Sequence, residues 1–122
     1  MYIRFIAGMQ VERKLQHTHG IVTQARVMID EKTLYSYHID QVEDIFSQLN
    51  MSLPCPPFEH KKWPSNAICW FKKSSQEYIQ LMYELKYILE EYEAKVTILR
   101  REDIGTVIYE DDYQAVGVSS LL

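Results

Sequence analysis

Three consecutive acidic residues near the C-terminus, Glu110, Asp111 and Asp112, form a dense group of chemically useful side chains. Tyr109 and Tyr113 flank them directly. Carboxylates can attract an arginine or lysine over some distance, and a neighbouring tyrosine ring then offers a face on which a guanidinium stacks. This five-residue cluster therefore predicts a contact surface for a basic protein partner or for a second copy of the chain.

The same carboxylates allow a second interpretation, because oxygen ligands suit Mg²⁺. A small metal-dependent hydrolase or nuclease could use the acidic run, with His17 or His19 completing the metal shell. The two histidines share a face only if their segment is extended, and the spacing supplies no third ligand. Adjacent carboxylates on a turn are more often solvated turn formers, so we predict neither a bound metal nor a cofactor.

Motifs for nucleophilic catalysis are missing from the sequence. There is no Gly-x-Ser-x-Gly elbow, and the four glycines are isolated, so no glycine-rich phosphate loop is present. Cys55 and Cys69 lack the spacing of a zinc or redox motif, which predicts two reduced thiols. We therefore assign no catalytic residue.

The aromatic content points to contact surfaces, since nine tyrosines in 122 residues exceed what a core of this size needs. Tyrosine supplies large contact area at low entropic cost and is enriched at interfaces. Phe58 and Trp63 lie in a proline-rich connection, and long connections often carry function. These two residues predict a second contact surface. The alternative is that they fold back over the core, while Tyr109 and Tyr113 form a cross-strand pair.

Size and charge limit the classes of protein. A chain of 122 residues with 47% hydrophobic and 25% charged residues predicts one globular domain over residues 1–122. The net charge of −4 argues against a nucleic-acid partner, and it is too small for a DNA mimic. The first apolar run is short for a signal peptide, and no run reaches membrane-spanning length. We expect a soluble, cytoplasmic protein without a membrane partner.

Hydrophobic periodicity predicts the elements that position these residues. Apolar repeats predict three helices, the first capped by Thr18 and the third by a capping box at Ser74 and Glu77. Trp70 is predicted to lie in the core where the third helix begins. The last strands are predicted to form two hairpins, with turns at 102–105 and 111–112. The pattern indicates an α+β domain with a mostly antiparallel sheet of about four strands and three helices packed on one face.

The chain begins Met-Tyr-Ile-Arg-Phe, has Ala-Ile-Cys-Trp-Phe-Lys at residues 67–72, and has Tyr-Glu-Asp at residues 109–111. In combination these segments resemble a family of small, uncharacterised bacterial proteins. The resemblance implies a bacterial or phage origin and a shared fold. It implies no settled activity.

By elimination, the sequence predicts a non-enzymatic protein-interaction module. An immunity protein, an antitoxin, or an accessory protein of defence or anti-defence fits the small size, the acidity and the surplus of tyrosine. The predicted partner is another protein with a basic surface, or a second copy of the chain. A small metal-dependent hydrolase or nuclease remains the alternative.

Overall fold

A computed structural model describes residues 1–7, 19–54, 64 and 67–118. Strands and helices follow one another in an α+β order that confirms the predicted fold class. The elements are β1 (Tyr2–Ala7), β2 (His19–Gly20), α1 (Ile21–Asp30), α2 (Ser36–Ser52), β3 (Ala67–Lys72), α3 (Gln76–Glu90), β4 (Val96–Arg101), β5 (Thr106–Glu110) and β6 (Gln114–Val118).

The strands form one antiparallel sheet in the order β4-β1-β3-β6-β5. The two-residue strand β2 pairs with the C-terminal end of β1, at Ile6 and Ala7. Five main strands are thus present in the described part of the chain, against about four predicted. The predicted hairpin of β4 and β5 is wrong. Strand β4 pairs with β1 along its whole length, and β5 pairs with β6.

The connection from β4 to β5 is so short that the sheet must curl. The strands lie at opposite edges of the sheet, so a flat sheet would separate them by about 19 Å across the strands alone. The chain from Arg101 to Thr106 spans about 18 Å at most. The register also places these two residues at opposite ends of β3. The two edges must therefore approach each other, and the connection crosses the face of the sheet that the helices leave open.

The two faces of the sheet bury separate clusters of apolar side chains. On one face, the three helices pack against alternate residues of β1, including Ile3 and Phe5. The other face holds Ile6, Ile68, Trp70, Leu99, Ile104 and Ala115. Trp70 is buried as predicted, with 3% of its surface exposed, but it lies in this second cluster and away from the helices. Its neighbour Phe71 packs against the helix-side cluster, because adjacent strand residues point to opposite faces.

The helix N-termini differ from the predicted caps. Gly20 is the N-cap of α1, in place of Thr18, which lies outside the described residues. The predicted capping box of α3 is wrong, because Ser75 is its N-cap residue and makes no side-chain capping bond. The Ser75 hydroxyl instead donates to the carbonyl oxygen of Tyr113 at 2.6 Å. This contact ties the start of α3 to the turn between β5 and β6.

None of the described helices is both long and apolar enough to cross a membrane.

Candidate functional site

The acidic hairpin, residues 109–113, is organised around the carboxylate of Asp111. Its Oδ1 accepts the backbone N–H groups of Tyr113 at 2.8 Å and Gln114 at 2.9 Å. Its Oδ2 accepts the Tyr109 hydroxyl at 2.8 Å and the Gln114 side-chain amide at 3.3 Å. The predicted turn at 111–112 is therefore present, and four donors within the hairpin occupy its central carboxylate.

The neighbours of Asp111 are also engaged within the fold. Glu110 at the end of β5 forms an ion pair with Lys72 at the end of β3, at 2.9 Å between Oε2 and Nζ. The Tyr113 ring packs edge-on against Tyr78 of α3, with centroids 5.2 Å apart. Tyr109 lies opposite Val116 in the register, so Tyr109 and Tyr113 do not form the cross-strand pair considered as an alternative. Asp112, which is exposed, keeps the acidic hairpin available as a charged surface.

The Asp111 hydrogen bonds favour its ionised form. Burial raises the pKa of the Asp111 carboxyl, but the bonds from the Tyr113 amide, the Tyr109 hydroxyl and Gln114 outweigh burial and hold that pKa below its ordinary value. A lowered pKa in the folded state means that the carboxylate contributes stability above its unfolded pKa. That contribution is lost as the pH falls through the folded pKa.

Asp111→Asn is expected to lower the free energy of unfolding by about 1–2 kcal/mol at pH 7, because charge-assisted bonds to four donors are weakened. The difference between wild type and variant should shrink as the pH falls from about 5 to about 2. Urea unfolding across this pH range measures it. Asp112→Asn is the matched control and should change stability by less than about 0.5 kcal/mol. An equal loss in both variants would show that Asp111 is only one exposed charge among others.

The metal-site interpretation finds no support among the described residues. In residues 1–7, 19–54, 64 and 67–118, no group of three or more His, Cys, Asp or Glu side chains is placed to hold a metal ion. His17 and the side chain of His19 lie outside what the structure describes, as do Cys55, Phe58 and Trp63. The predicted contact surface at Phe58 and Trp63 therefore stays a prediction.

A second aromatic surface, the tyrosine patch, lies where α2 begins and α3 ends. The rings of Tyr35 and Tyr37 stack nearly parallel, at 5.9 Å between centroids and 5° between planes. They are 67% and 58% exposed. Tyr92, just after α3, and His38 lie beneath them, with ring contacts to Tyr35 and Tyr37 respectively. These four residues define the patch.

Hydrogen bonds hold the base of the tyrosine patch in place. The Tyr92 hydroxyl accepts the backbone N–H of Tyr35 at 3.0 Å and is hydrogen-bonded to Nδ1 of His38. The other ring nitrogen of His38 lies 3.1 Å from a carboxylate oxygen of Glu91, which is exposed. His38 itself is buried. The exposed pair of tyrosines therefore lies on a base that hydrogen bonds hold in place.

Sequence reasoning missed the tyrosine patch as a site. The surplus of tyrosine was the available signal, but a count of tyrosines does not show which of them lie together at the surface. Tyr92 is 57 residues away from Tyr35 in the chain. Only the antiparallel packing of α2 and α3 brings the two together.

No protein-family model, curated protein or solved structure matches this chain. The resemblance to a family of small bacterial proteins therefore stays a prediction.

Proposed function

We propose that this protein is a non-enzymatic protein-interaction module that binds a basic protein partner through the tyrosine patch. The stacked and exposed pair of Tyr35 and Tyr37 carries the proposal. Large aromatic side chains that are ordered before binding add contact area with little loss of conformational entropy. Exposure of the two apolar ring surfaces to water is unfavourable in the free protein, and a partner that covers both rings removes that surface from water.

Charge complementarity selects the class of partner. Glu91 lies against His38 at the base of the patch, and Asp40 is one helical turn from Tyr37 on α2. The whole chain carries a net charge of −4. Arginine or lysine side chains of a partner would meet both carboxylates and tyrosine faces there. We therefore assign a protein with a basic surface as the partner, in preference to a second copy of this acidic chain.

The acidic hairpin supports the same class of partner more weakly. Its Asp111 carboxylate is occupied within the turn, and Tyr113 packs on Tyr78. Tyr78 and the tyrosine patch lie at opposite ends of α3, about 20 Å apart. The hairpin therefore serves as a second acidic surface, which contributes long-range attraction more than anchoring. A hydrolase or nuclease at this hairpin is disfavoured for the same reason, since its central carboxylate already has four donors.

In the cell, we propose that the module acts in the cytoplasm as an immunity-like or antitoxin-like protein, or as an accessory in defence or anti-defence, of bacterial or phage origin. Small acidic domains can neutralise basic toxins or nucleases by covering their charged surfaces. The support is the combination of acidity, exposed tyrosine and a patch whose base is held by hydrogen bonds.

Replacing both Tyr35 and Tyr37 by alanine is expected to weaken partner binding at least tenfold, or about 1.4 kcal/mol. The partner is first isolated from host cells by capture on the tagged wild-type chain and identified. Isothermal titration calorimetry with purified partner then gives the dissociation constants. The variant should unfold within about 0.5 kcal/mol of wild type, because both side chains are exposed.

Met51→Ala is the matched control for this experiment. Met51 is 83% exposed and lies near the other end of α2, about 20 Å from Tyr37. Binding should be unchanged in this variant and should weaken with salt in the wild type. Equal affinity of the double variant and wild type would contradict the proposal. Sedimentation of the chain alone tests whether a second copy of the chain binds the patch instead. A wild-type dimer that the double variant does not form would assign the patch to self-association.

A further inference from the structure

A cavity of about 300 Å³ opens where β1 and β3 diverge. Strand β1 pairs with β3 only at Tyr2 and Ile3, and with β2 only at Ile6 and Ala7. Arg4 and Phe5 pair with neither strand on this edge. The sheet is therefore split between them, and the helix layer closes over the split.

The walls of the cavity are mostly apolar and come from every layer of the fold. The helices supply side chains from the start of α1, the end of α2 and the middle of α3, and the sheet supplies two aromatic rings. The apolar wall includes Phe5, Ile21, Leu49, Leu53, Phe71 and Met82. A concave site of this size lies at the lower end of the range for small-molecule sites, and such sites are mostly apolar with a few polar groups.

Arg4 is the charged residue on this wall. Its Nη1 donates to the carbonyl oxygen of Cys69 at 2.9 Å. Its Nε is buried, and among the residues that the structure describes no acceptor meets it. Burial lowers the pKa of the Arg4 guanidinium, although arginine keeps its charge in proteins. Arg4 is half-buried, and leaving its buried Nε without an acceptor is costly, so a carboxylate reaching the guanidinium would offset that cost.

The first turn of α1 lies beside the guanidinium. Gly20, the N-cap, forms part of the cavity wall together with Ile21 and Val22. A Cβ atom on Gly20 would lie 3.7 Å from Nη2 of Arg4, so the guanidinium lies next to this residue. No side chain caps α1, and its first turn carries no acidic residue. The amide groups of this turn add positive potential at the same end of the cavity.

We propose that this cavity binds a small amphipathic monocarboxylate, with its carboxylate on Arg4 and its apolar body against the side chains of α2 and α3. One guanidinium matches one negative charge, whereas a phosphate monoester would retain a second charge in an apolar site. The proposal is independent of the tyrosine patch, because none of the patch residues lines the cavity.

The test titrates octanoate into the full chain, followed by calorimetry and by ¹⁵N–¹H correlation spectra. Octanol and octylammonium have the same tail and serve as probes of the head group. Octanoate should bind at least tenfold more tightly than octanol, octylammonium should not bind, and the amide signals of Gly20, Ile21 and Val22 should shift with octanoate. Absence of octanoate binding, equal affinity for octanoate and octanol, or unmoved signals at these amides would overturn the proposal.

Variants of the chain measure separately how the Arg4 charge and the apolar wall contribute to ligand affinity. Arg4→Met should lose at least tenfold of the octanoate affinity and little of the octanol affinity. Arg101→Met removes an exposed arginine outside the cavity wall and should bind both probes as wild type does. If Arg4→Met does not fold, Leu53→Trp fills the cavity instead and should weaken both probes. Octanoate binding that survives Leu53→Trp would place the ligand elsewhere and overturn the assignment.

Discussion

Trp70→Ala is expected to lower the free energy of unfolding by about 3–5 kcal/mol, a large share of the stability of a small domain. Trp70 is 3% exposed and packs with Ile68, Leu99 and Ile104 on the face of the sheet opposite the helices. The described helices pack on the other face of the sheet, so none of them can move inward to fill the space. The cavity left by the indole should therefore remain largely open, which places the cost at the upper end. Urea denaturation followed by circular dichroism measures it.

Tyr37→Ala is the control, because it also truncates an aromatic side chain but at a position 58% exposed. It should change the free energy of unfolding by less than about 0.5 kcal/mol. A Trp70→Ala variant that unfolds at the same denaturant concentration as Tyr37→Ala would contradict the buried second cluster.

Gly117→Ala is expected to cost about 3 kcal/mol or more, although it adds one methyl group. A Cβ atom on Gly117 would lie 2.3 Å from the backbone oxygen of Ile104 and 2.9 Å from its Cγ1. The first of these atoms belongs to the connection between β4 and β5, which crosses the sheet at this point. Relief would require the connection to lift, and Ile104 would then leave the cluster around Trp70. Calorimetric melting measures the loss.

Gly20→Ala tests whether the Gly117 effect comes from contact rather than from glycine itself. At Gly20 a Cβ would meet its nearest atoms at 3.7 and 3.9 Å, which is ordinary contact, and the backbone is extended. Its free energy of unfolding should stay within about 1 kcal/mol of wild type. Similar losses at both glycines would show that the connection does not press on Gly117.

The local elements of this fold could be predicted from sequence, but their long-range pairing could not. The apolar stripe of α3 and the continuous apolar run of β3 are signals carried by residues close together in the chain. The partner of β4 is instead β1, about 95 residues earlier, and this pairing places Ile98 and Leu99 in the apolar clusters on opposite faces of the sheet. A local turn at 102–105 favours a hairpin, and the tertiary packing of Ile104 overrides that preference.

The candidate sites show the same division. The acidic hairpin was evident as a run of carboxylates, yet the sequence does not show that Asp111 accepts four hydrogen bonds within its own turn. The tyrosine patch and the Arg4 cavity were missed, because each joins residues from distant elements. In the sequence Arg4 is one polar residue in a strand, and only the structure shows that its Nε is buried where β1 and β3 diverge.

Site-specific photocross-linking tests the proposed interaction most directly. A photoreactive phenylalanine analogue replaces Tyr37 in one variant of the full chain, and the same analogue replaces Met51 in a second variant. After irradiation in a lysate of host cells, position 37 should give one discrete adduct with a basic protein, and adding salt to the lysate before irradiation should reduce the yield of this adduct. Position 51 should give none. Adducts of equal yield at both positions, or no adduct at position 37 while the identified partner still binds, would contradict the tyrosine patch as the contact surface.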